Sequence, residues 1–214
     1  MLSAFFCLFL PHAHAQFAVN QTYYLPYTET QLFTGITSIY PVATCGSIGA
    51  FDPALPITNY VTIAIKKDVT TIVYDHYEDG YEDSAANPIQ PTTVVWGDGD
   101  TTNGFPPGFP SDLLNSGDVV ILNNDVTPAI PDVTFDFDGR DKINSSTTIA
   151  VTRASWATGS STFMAGAFEL YPTFAWGTDF VMPIGEDLSA ASGEAFEYVG
   201  LAVMADEGLS LIHI

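Results

Sequence analysis

Tyr60-Val-Thr-Ile-Ala-Ile-Lys66 is a strand written with period two: Val61, Ile63 and Ile65 share one face, Thr62, Ala64 and Lys66 the other. Successive side chains of an extended chain point to opposite sides of a sheet, so this stretch predicts one buried and one solvated face. Working outward, Lys67-Asp68 stands as a turn before Val69-Thr-Thr-Ile-Val-Tyr-Asp75, and the two runs read as a β-hairpin. Further strand candidates are Leu32–Tyr40, Thr92–Trp96, Asp118–Leu122, Thr147–Ala154, Thr162–Tyr171, Asp179–Pro183 and Phe196–Met204. Gly, Pro, Asn and Asp clusters separate them, and long stretches of helical period are scarce. That rhythm predicts an all-β chain of antiparallel β-sandwich type, as one large or two small sandwiches, with little helix. The longest irregular stretch runs from Gly97 to Gly117, with a single helical turn expected at Ser111–Asn115 and Ser111 as its N-cap.

The second strand of the expected hairpin runs into Tyr74-Asp-His-Tyr-Glu-Asp-Gly-Tyr-Glu-Asp83, which carries five carboxylates: Asp75, Glu78, Asp79, Glu82 and Asp83. Carboxylates this close repel one another unless something neutralises them. Calcium takes six to eight oxygen donors in flexible geometry. Asp75, Glu78, Asp79 and Glu82 are therefore the expected calcium ligands, with Asp98 and Asp100 of Trp96-Gly-Asp-Gly-Asp100 completing the set if the two segments approach. The bland alternative is a solvated acidic strand end beside a glycine turn. An EF-hand is excluded, because Phe109 stands where the loop's twelfth residue must be Glu. A second cluster, Asp132, Asp136, Asp138 and Asp141, has Arg140 and Lys142 among it and is expected to form surface ion pairs worth about 0–1 kcal/mol.

The chain has 25 acidic and 5 basic residues, a net charge of −20, yet 47% hydrophobic residues, enough for a core and too many for a disordered acidic tail. Seventeen of the acids are Asp, the turn-compatible one. Nucleic acid and anionic membrane surfaces both select Lys and Arg clusters, so neither is an expected partner. Like charges at this density predict a fold that gains stability from salt or divalent cations.

Hydrolytic chemistry finds little footing. His76 is the one histidine between the apolar leader and Gly208, no Gly-x-Ser-x-Gly element occurs, and Cys45 has no neighbouring base in sequence. A zinc site built of several His or Cys is not expected. Some carboxylate pair will meet glycosidase spacing by chance among so many acids, but none sits in a catalytic signature. No enzyme is expected. Trp96, Trp156 and Trp176 read as core or corner residues, with an aromatic binding platform conceivable around Tyr77 and Tyr81.

Leu2–Leu10 is an apolar run of signal-peptide length, and Ala13-His-Ala15 supplies a small-x-small cleavage site, predicting a signal peptide over 1–15 and a mature start at Gln16. The run is too short for the about 20 residues a membrane span needs, and no later stretch reaches that length. Cys7 belongs to the leader, which leaves Cys45 as a buried apolar residue or the partner of a cysteine further along. Asn20 and Asn144 carry glycosylation sequons, relevant where the host glycosylates. The last six residues, Leu209-Ser-Leu-Ile-His-Ile214, are what a sequencing-library transposon end encodes. The extracellular β domain is accordingly expected over 16–208, with the natural chain continuing differently beyond it.

The ordered motifs Tyr74-Asp-His-Tyr-Glu-Asp-Gly-Tyr-Glu82, Val95-Trp-Gly-Asp-Gly99, Pro106-Pro-Gly-Phe109, Leu114-Asn-Ser-Gly-Asp-Val119, Gly139-Arg-Asp-Lys-Ile143, Ala150-Val-Thr-Arg-Ala-Ser-Trp156 and Trp176–Asp187 carry a resemblance. Over about residues 60–187 the chain is similar to the N-terminal region of large secreted or cell-surface proteins with β-sandwich repeats downstream. More distantly its rhythm resembles the IgGFc-binding-protein N-terminal region. The resemblance implies a β domain, an extracellular or cell-surface location and a structural or adhesive role, with extracellular protein or glycan partners. It supplies no catalytic residues. The alternative is a carbohydrate-binding or carbohydrate-acting module using the acidic and aromatic face.

Overall fold

The computed structural model describes residues 18–28, 30–34, 54–81, 92–126, 135–157, 165–181 and 203–205. Among these residues, eight strands fall into two antiparallel sheets. The first has the order β1 (Gln21–Tyr24), β6 (Lys142–Ser145), β3 (Ile72–Asp75), β4 (Val94–Trp96). The second has the order β5 (Val119–Val126), β2 (Ile57–Ile65), β7 (Ile149–Ala157), β8 (Ala165–Leu170). The short 3-10 turn η1 (Thr173–Ala175) follows β8.

The alternation that predicted β2 is observed. Ile57, Asn59, Val61, Ile63 and Ile65 are buried while the residues that alternate with them are half-covered, and β2 runs inside its sheet between β5 and β7. The inward faces of both sheets meet in one core. Tyr23, Ile72, Tyr74, Trp96 and Ile143 come from the first sheet, and Val61, Ile63, Val120, Leu122, Val151 and Leu170 from the second. Each fully buried aliphatic side chain of this kind contributes about 1.5–3 kcal/mol. The architecture is the expected all-β sandwich, and the described residues form one of them.

The expected hairpin does not exist. β2 and β3 lie in different sheets, and residues 66–71 carry the chain across the end of the sandwich. Local bonds hold this crossing. Thr70 Oγ1 donates to Lys67 O at 2.7 Å, Ser116 N to Asp68 Oδ1 at 3.0 Å, and Val69 adopts a positive φ of 55°. The physical reason is composition. Ile72, Val73 and Tyr74 need burial on both sides, which an edge partner of β2 would not supply.

Three other expectations change. Residues 30–34 are helical, so the strand expected at Leu32–Tyr40 is absent at its start, and its remainder from 35 onward lies outside the described residues. The cause is a reciprocal cap. Gln31 N donates to Thr28 Oγ1 at 3.2 Å, and Thr28 N to Gln31 Oε1 at 3.1 Å. No helical turn forms at Ser111–Asn115. Instead Asp112 accepts hydrogen bonds from Gly97 N at 2.6 Å and Gly99 N at 2.9 Å, tying the long loop to the end of β4. Residues 179–181 and 203–204 are not strand, and the rest of those two candidates is outside the described residues.

Candidate functional site

Scarce basic residues are turned inward in this molecule. Lys142 is 7% exposed and Arg153 1%, so two of the five cations sit inside. Lys142 and Asp75 are register partners on β6 and β3, and Lys142 Nζ lies 2.6 Å from Asp75 Oδ2. Period two sends this pair to the outer face of the first sheet, since Tyr74 and Ile143 beside them point into the core. The Tyr81 ring lies 4.5 Å from Lys142 Nζ, and Tyr24 packs edge-on against Tyr81. Arg140 covers Tyr77 in the same way, at 4.5 Å. The expected surface ion pairing of the 132–142 cluster is thereby corrected. Lys142 is indeed paired, but in a buried setting and to Asp75, while Asp138 and Asp141 are fully buried. Asp132 lies outside the described residues.

On the inner side of the same strands stands a polar group that joins three stretches of chain. Asp141 is its hub. Its Oδ2 accepts from Tyr74 OH at 2.6 Å and from Asp138 N at 3.2 Å, and its Oδ1 accepts from Tyr77 N at 3.1 Å. His76, one residue past β3, brings Nδ1 to 3.4 Å from Asp141 Oδ2. Glu78 approaches from the turn that Gly80 N closes on Tyr77 O at 3.1 Å. One donor atom from each of His76, Glu78 and Asp141 lies within 4.8 Å of the other two. Aromatic rings wall the imidazole, with Tyr74 at 5.1 Å, Phe137 at 5.6 Å and Phe135 at 6.2 Å between centroids.

The electrostatics follow from this enclosure. Burial acts to lower the His76 pKa, but the contact with Asp141, the Glu78 charge and a backbone hydrogen bond at Asp136 outweigh it, and the net direction is up. Tyr74 is pushed well above its ordinary range by burial first and then by Asp141. Burial likewise raises Tyr81. Across the core, Arg153 Nε donates to Asn59 Oδ1 at 2.8 Å and its Nη1 to Tyr27 O at 2.9 Å, while Ser155 Oγ donates to the same Asn59 oxygen at 2.9 Å. These contacts make the core polar toward this end of the sandwich.

The six expected calcium ligands are distributed differently from one another. Asp75 faces Lys142. Glu78 belongs to the group with His76 and Asp141. Asp79 accepts a hydrogen bond from Thr92 Oγ1. Glu82 lies outside the described residues, as does Asp83. Asp98 and Asp100 fold onto their own turn: Asp100 N donates to Asp98 Oδ1 at 2.9 Å, Asn103 Nδ2 to Asp98 Oδ2 at 2.8 Å, and Thr102 N to Asp100 Oδ1 at 3.0 Å. Among the described residues, no group of three close acidic, His or Cys donors joins Asp98 or Asp100 to the 75–81 segment. What the sequence reading missed is His76 and Asp141 as a pair. The hint available was that the lone His of the domain sits amid five acids.

Of the two sequons, Asn20 is exposed. Asn144 is 6% exposed within β6 and its Oδ1 accepts from Thr22 Oγ1 at 2.8 Å, so the folded sheet leaves no room for a glycan there. Trp176 behaves as the expected corner residue, its Nε1 donating to Tyr171 O at 2.9 Å. Trp156 does not: it stands 39% exposed on the outer face of the second sheet, stacked on Tyr60 with centroids 5.1 Å apart. No helix among the described residues is long and apolar enough to cross a membrane. No protein-family model, curated protein or solved structure matches this chain.

Proposed function

We propose that this chain is an extracellular β-sandwich module of a larger surface protein, with a structural or adhesive role and stability supplied in part by calcium. The observation that supports this reading is the disposition of charge. Lys142 and Arg153 are internal and Arg140 is half-covered, so Lys66 and Lys67 are the exposed basic residues of a chain with 25 acids. Such a surface repels itself and is relieved by divalent cations, as a module working in a calcium-rich medium can exploit. Asp79, Asp98 and Asp100, with the acids at 82 and 83 in the sequence, are the first places for calcium to act, since Asp75 is already paired with Lys142.

The test compares thermal unfolding in calcium with unfolding in chelator at one ionic strength. A higher midpoint in calcium is expected, and equal midpoints overturn the calcium part. The role is tested by sedimentation and by glycan-array binding, each with and without calcium. Calcium-dependent self-association or capture of an extracellular protein fits the adhesive role.

A carbohydrate-binding reading is favoured by one feature, the stacked Tyr60–Trp156 pair beside the Thr58–Asp125 hydrogen bond on the exposed sheet face. Stacking rings with polar neighbours suit a sugar. Glycan binding that disappears in Trp156→Ala selects this alternative, and an array with no signal removes it.

A further inference from the structure

We propose that His76, Glu78 and Asp141 form a binding site for a divalent transition-metal ion of the zinc class. Zinc bonds of about 2.0–2.1 Å in a tetrahedral arrangement place neighbouring donors roughly 3.4 Å apart. His76 Nδ1 already stands 3.4 Å from the Asp141 carboxylate, at Oδ2, and Glu78 supplies a third donor within 4.8 Å.

A second observation points to a ligand. His76 is 7% exposed, its Nδ1 is shut off from solvent, and its contact with Asp141 Oδ2 at 3.4 Å falls short of a well-formed hydrogen bond. Buried polar atoms in folded proteins nearly always have a partner, and those that do not call for an explanation. A metal ion at this point satisfies the nitrogen directly.

The carboxylate opposite is prepared for the task. Tyr74 OH and Asp138 N take both acceptor positions of Asp141 Oδ2, and Tyr77 N takes one of the about two on Oδ1. Together they fix the carboxylate and leave its open position on Oδ1, the oxygen that would hold the ion. Metal ligands are typically oriented by such an outer ring of hydrogen bonds. Glu78 is half-exposed on a turn, so it provides the open side through which an ion enters.

Donor chemistry selects the ion. One imidazole nitrogen with two carboxylates suits zinc, manganese or iron(II), whereas calcium seeks six or more oxygens. Three protein ligands leave a fourth position for water or an outside ligand. The site therefore differs from the diffuse calcium binding proposed above, and stands or falls separately. The competing account is a buried imidazolium–carboxylate pair with Glu78 beside it, which predicts no ion uptake.

The experiment uses the untagged full chain, stripped with chelator and titrated with cobalt(II) and zinc chloride, with calcium chloride in parallel at one ionic strength. Expected are one tightly bound cobalt or zinc per chain, the visible absorption of low-coordinate cobalt, and a raised unfolding midpoint. Glu78→Gln, on the exposed turn, should weaken cobalt and zinc at least ~10-fold, the lower end of the loss seen when even an outer-ring partner is removed. Tyr74→Phe should weaken them by about 10–100-fold while the chain still folds. Absence of cobalt and zinc binding overturns the site, and so does binding unchanged in Glu78→Gln. Calcium stabilisation that persists in Glu78→Gln leaves the proposed function standing whatever zinc does.

Discussion

The two sheets are built on opposite plans. Strands of the second sheet are long, with β2 and β7 of nine residues each, and β2, β5 and much of β7 alternate buried with uncovered positions. Val119, Ile121 and Trp156 remain exposed on its outer face. Strands of the first sheet are four residues or fewer, and β3 and β6 are buried at every position. Tyr81 and Tyr24 lie over Lys142 on the outer face, with Arg140 and Tyr77 beside them, while Phe137 and Asp141 close the inner side. A sheet covered on one side hides mainly apolar groups, with Arg153 and Asn59 buried in the second sheet only because they bond each other and Tyr27 O. One covered on both sides can hide charge, because the cover brings partners for it.

This contrast is sharpest under a single added methyl. A Cβ on Gly139 would meet Tyr27 O at 1.5 Å and Tyr27 C at 2.1 Å, both backbone atoms that cannot step aside. Gly139→Ala should abolish folding or cost more than about 4 kcal/mol in urea denaturation. Gly166→Ala on β8 meets nothing within 4 Å and should change stability by no more than about 0.5 kcal/mol. Equal losses at the two glycines would refute the view that cover, and not strand regularity, makes the first sheet intolerant.

Next in size is the buried ion pair. Lys142→Met leaves Asp75 charged and enclosed, and should cost about 3–5 kcal/mol. Much of that loss should return in the Lys142→Met, Asp75→Asn double variant, because the penalty belongs to the stranded charge. A double-mutant cycle reads the coupling directly. Additive losses would mean that the pair is held by packing alone.

Alkaline pH probes the tyrosines of the same region. Tyr23 OH donates to Ile149 O at 2.9 Å, and burial, with the Glu169 charge as a smaller cause, pushes its pKa up to about 12. A folded-state pKa raised above the unfolded value near 10 favours the protonated fold. That contribution is complete below about pH 10 and is lost as pH rises toward 12. Tyr74 and Tyr81 shift in the same direction. Urea midpoints should therefore be flat to about pH 10 and then fall, with part of the 295 nm tyrosinate absorbance appearing only on unfolding. Tyr23→Phe should shallow the fall. An unchanged slope would assign it to other groups.

The smallest effects belong to the outer face of the second sheet. Trp156→Ala should cost about 0.5–1.5 kcal/mol through the lost stack on Tyr60. Ile121→Thr, 53% exposed, should be within about 0.5 kcal/mol of the parent by thermal unfolding. Losses several times larger would show that this face is covered in solution, for example by a second copy of the chain.

Legibility in the sequence follows that division only in part, since β3 and β4 of the first sheet were also foreseen, within Val69–Asp75 and Thr92–Trp96, from their β-branched and aromatic residues. β2, β5 and β7 could be found from local pattern because one side of each meets solvent, and solvent imprints period two on the residues. β1 and β6 left no such imprint. Gln21-Thr-Tyr-Tyr24 and Lys142-Ile-Asn-Ser145 are polar enough to read as loop, and their burial rests on partners elsewhere in the chain. The helical turn at 30–34 was legible in principle through Thr28-x-x-Gln31, but the β-branched residues after it pointed the other way. In the candidate site, the acid concentration around His76 was visible and drew attention to the right segment. Its pairing with Asp141 was not.

By itself the sequence determined the class of structure: apolar alternation and frequent turn residues demand sheets with a shared core, and a large excess of acid demands that charge be managed. Only the tertiary structure decided how it is managed. It separated β2 from β3 into different sheets and placed Lys142 against Asp75. It also brought Tyr74 to Asp141 across 67 residues of chain, with His76 and Glu78 alongside. Local propensity acts over a few neighbouring residues, whereas desolvation and pairing of buried charge depend on whatever the whole fold packs against them.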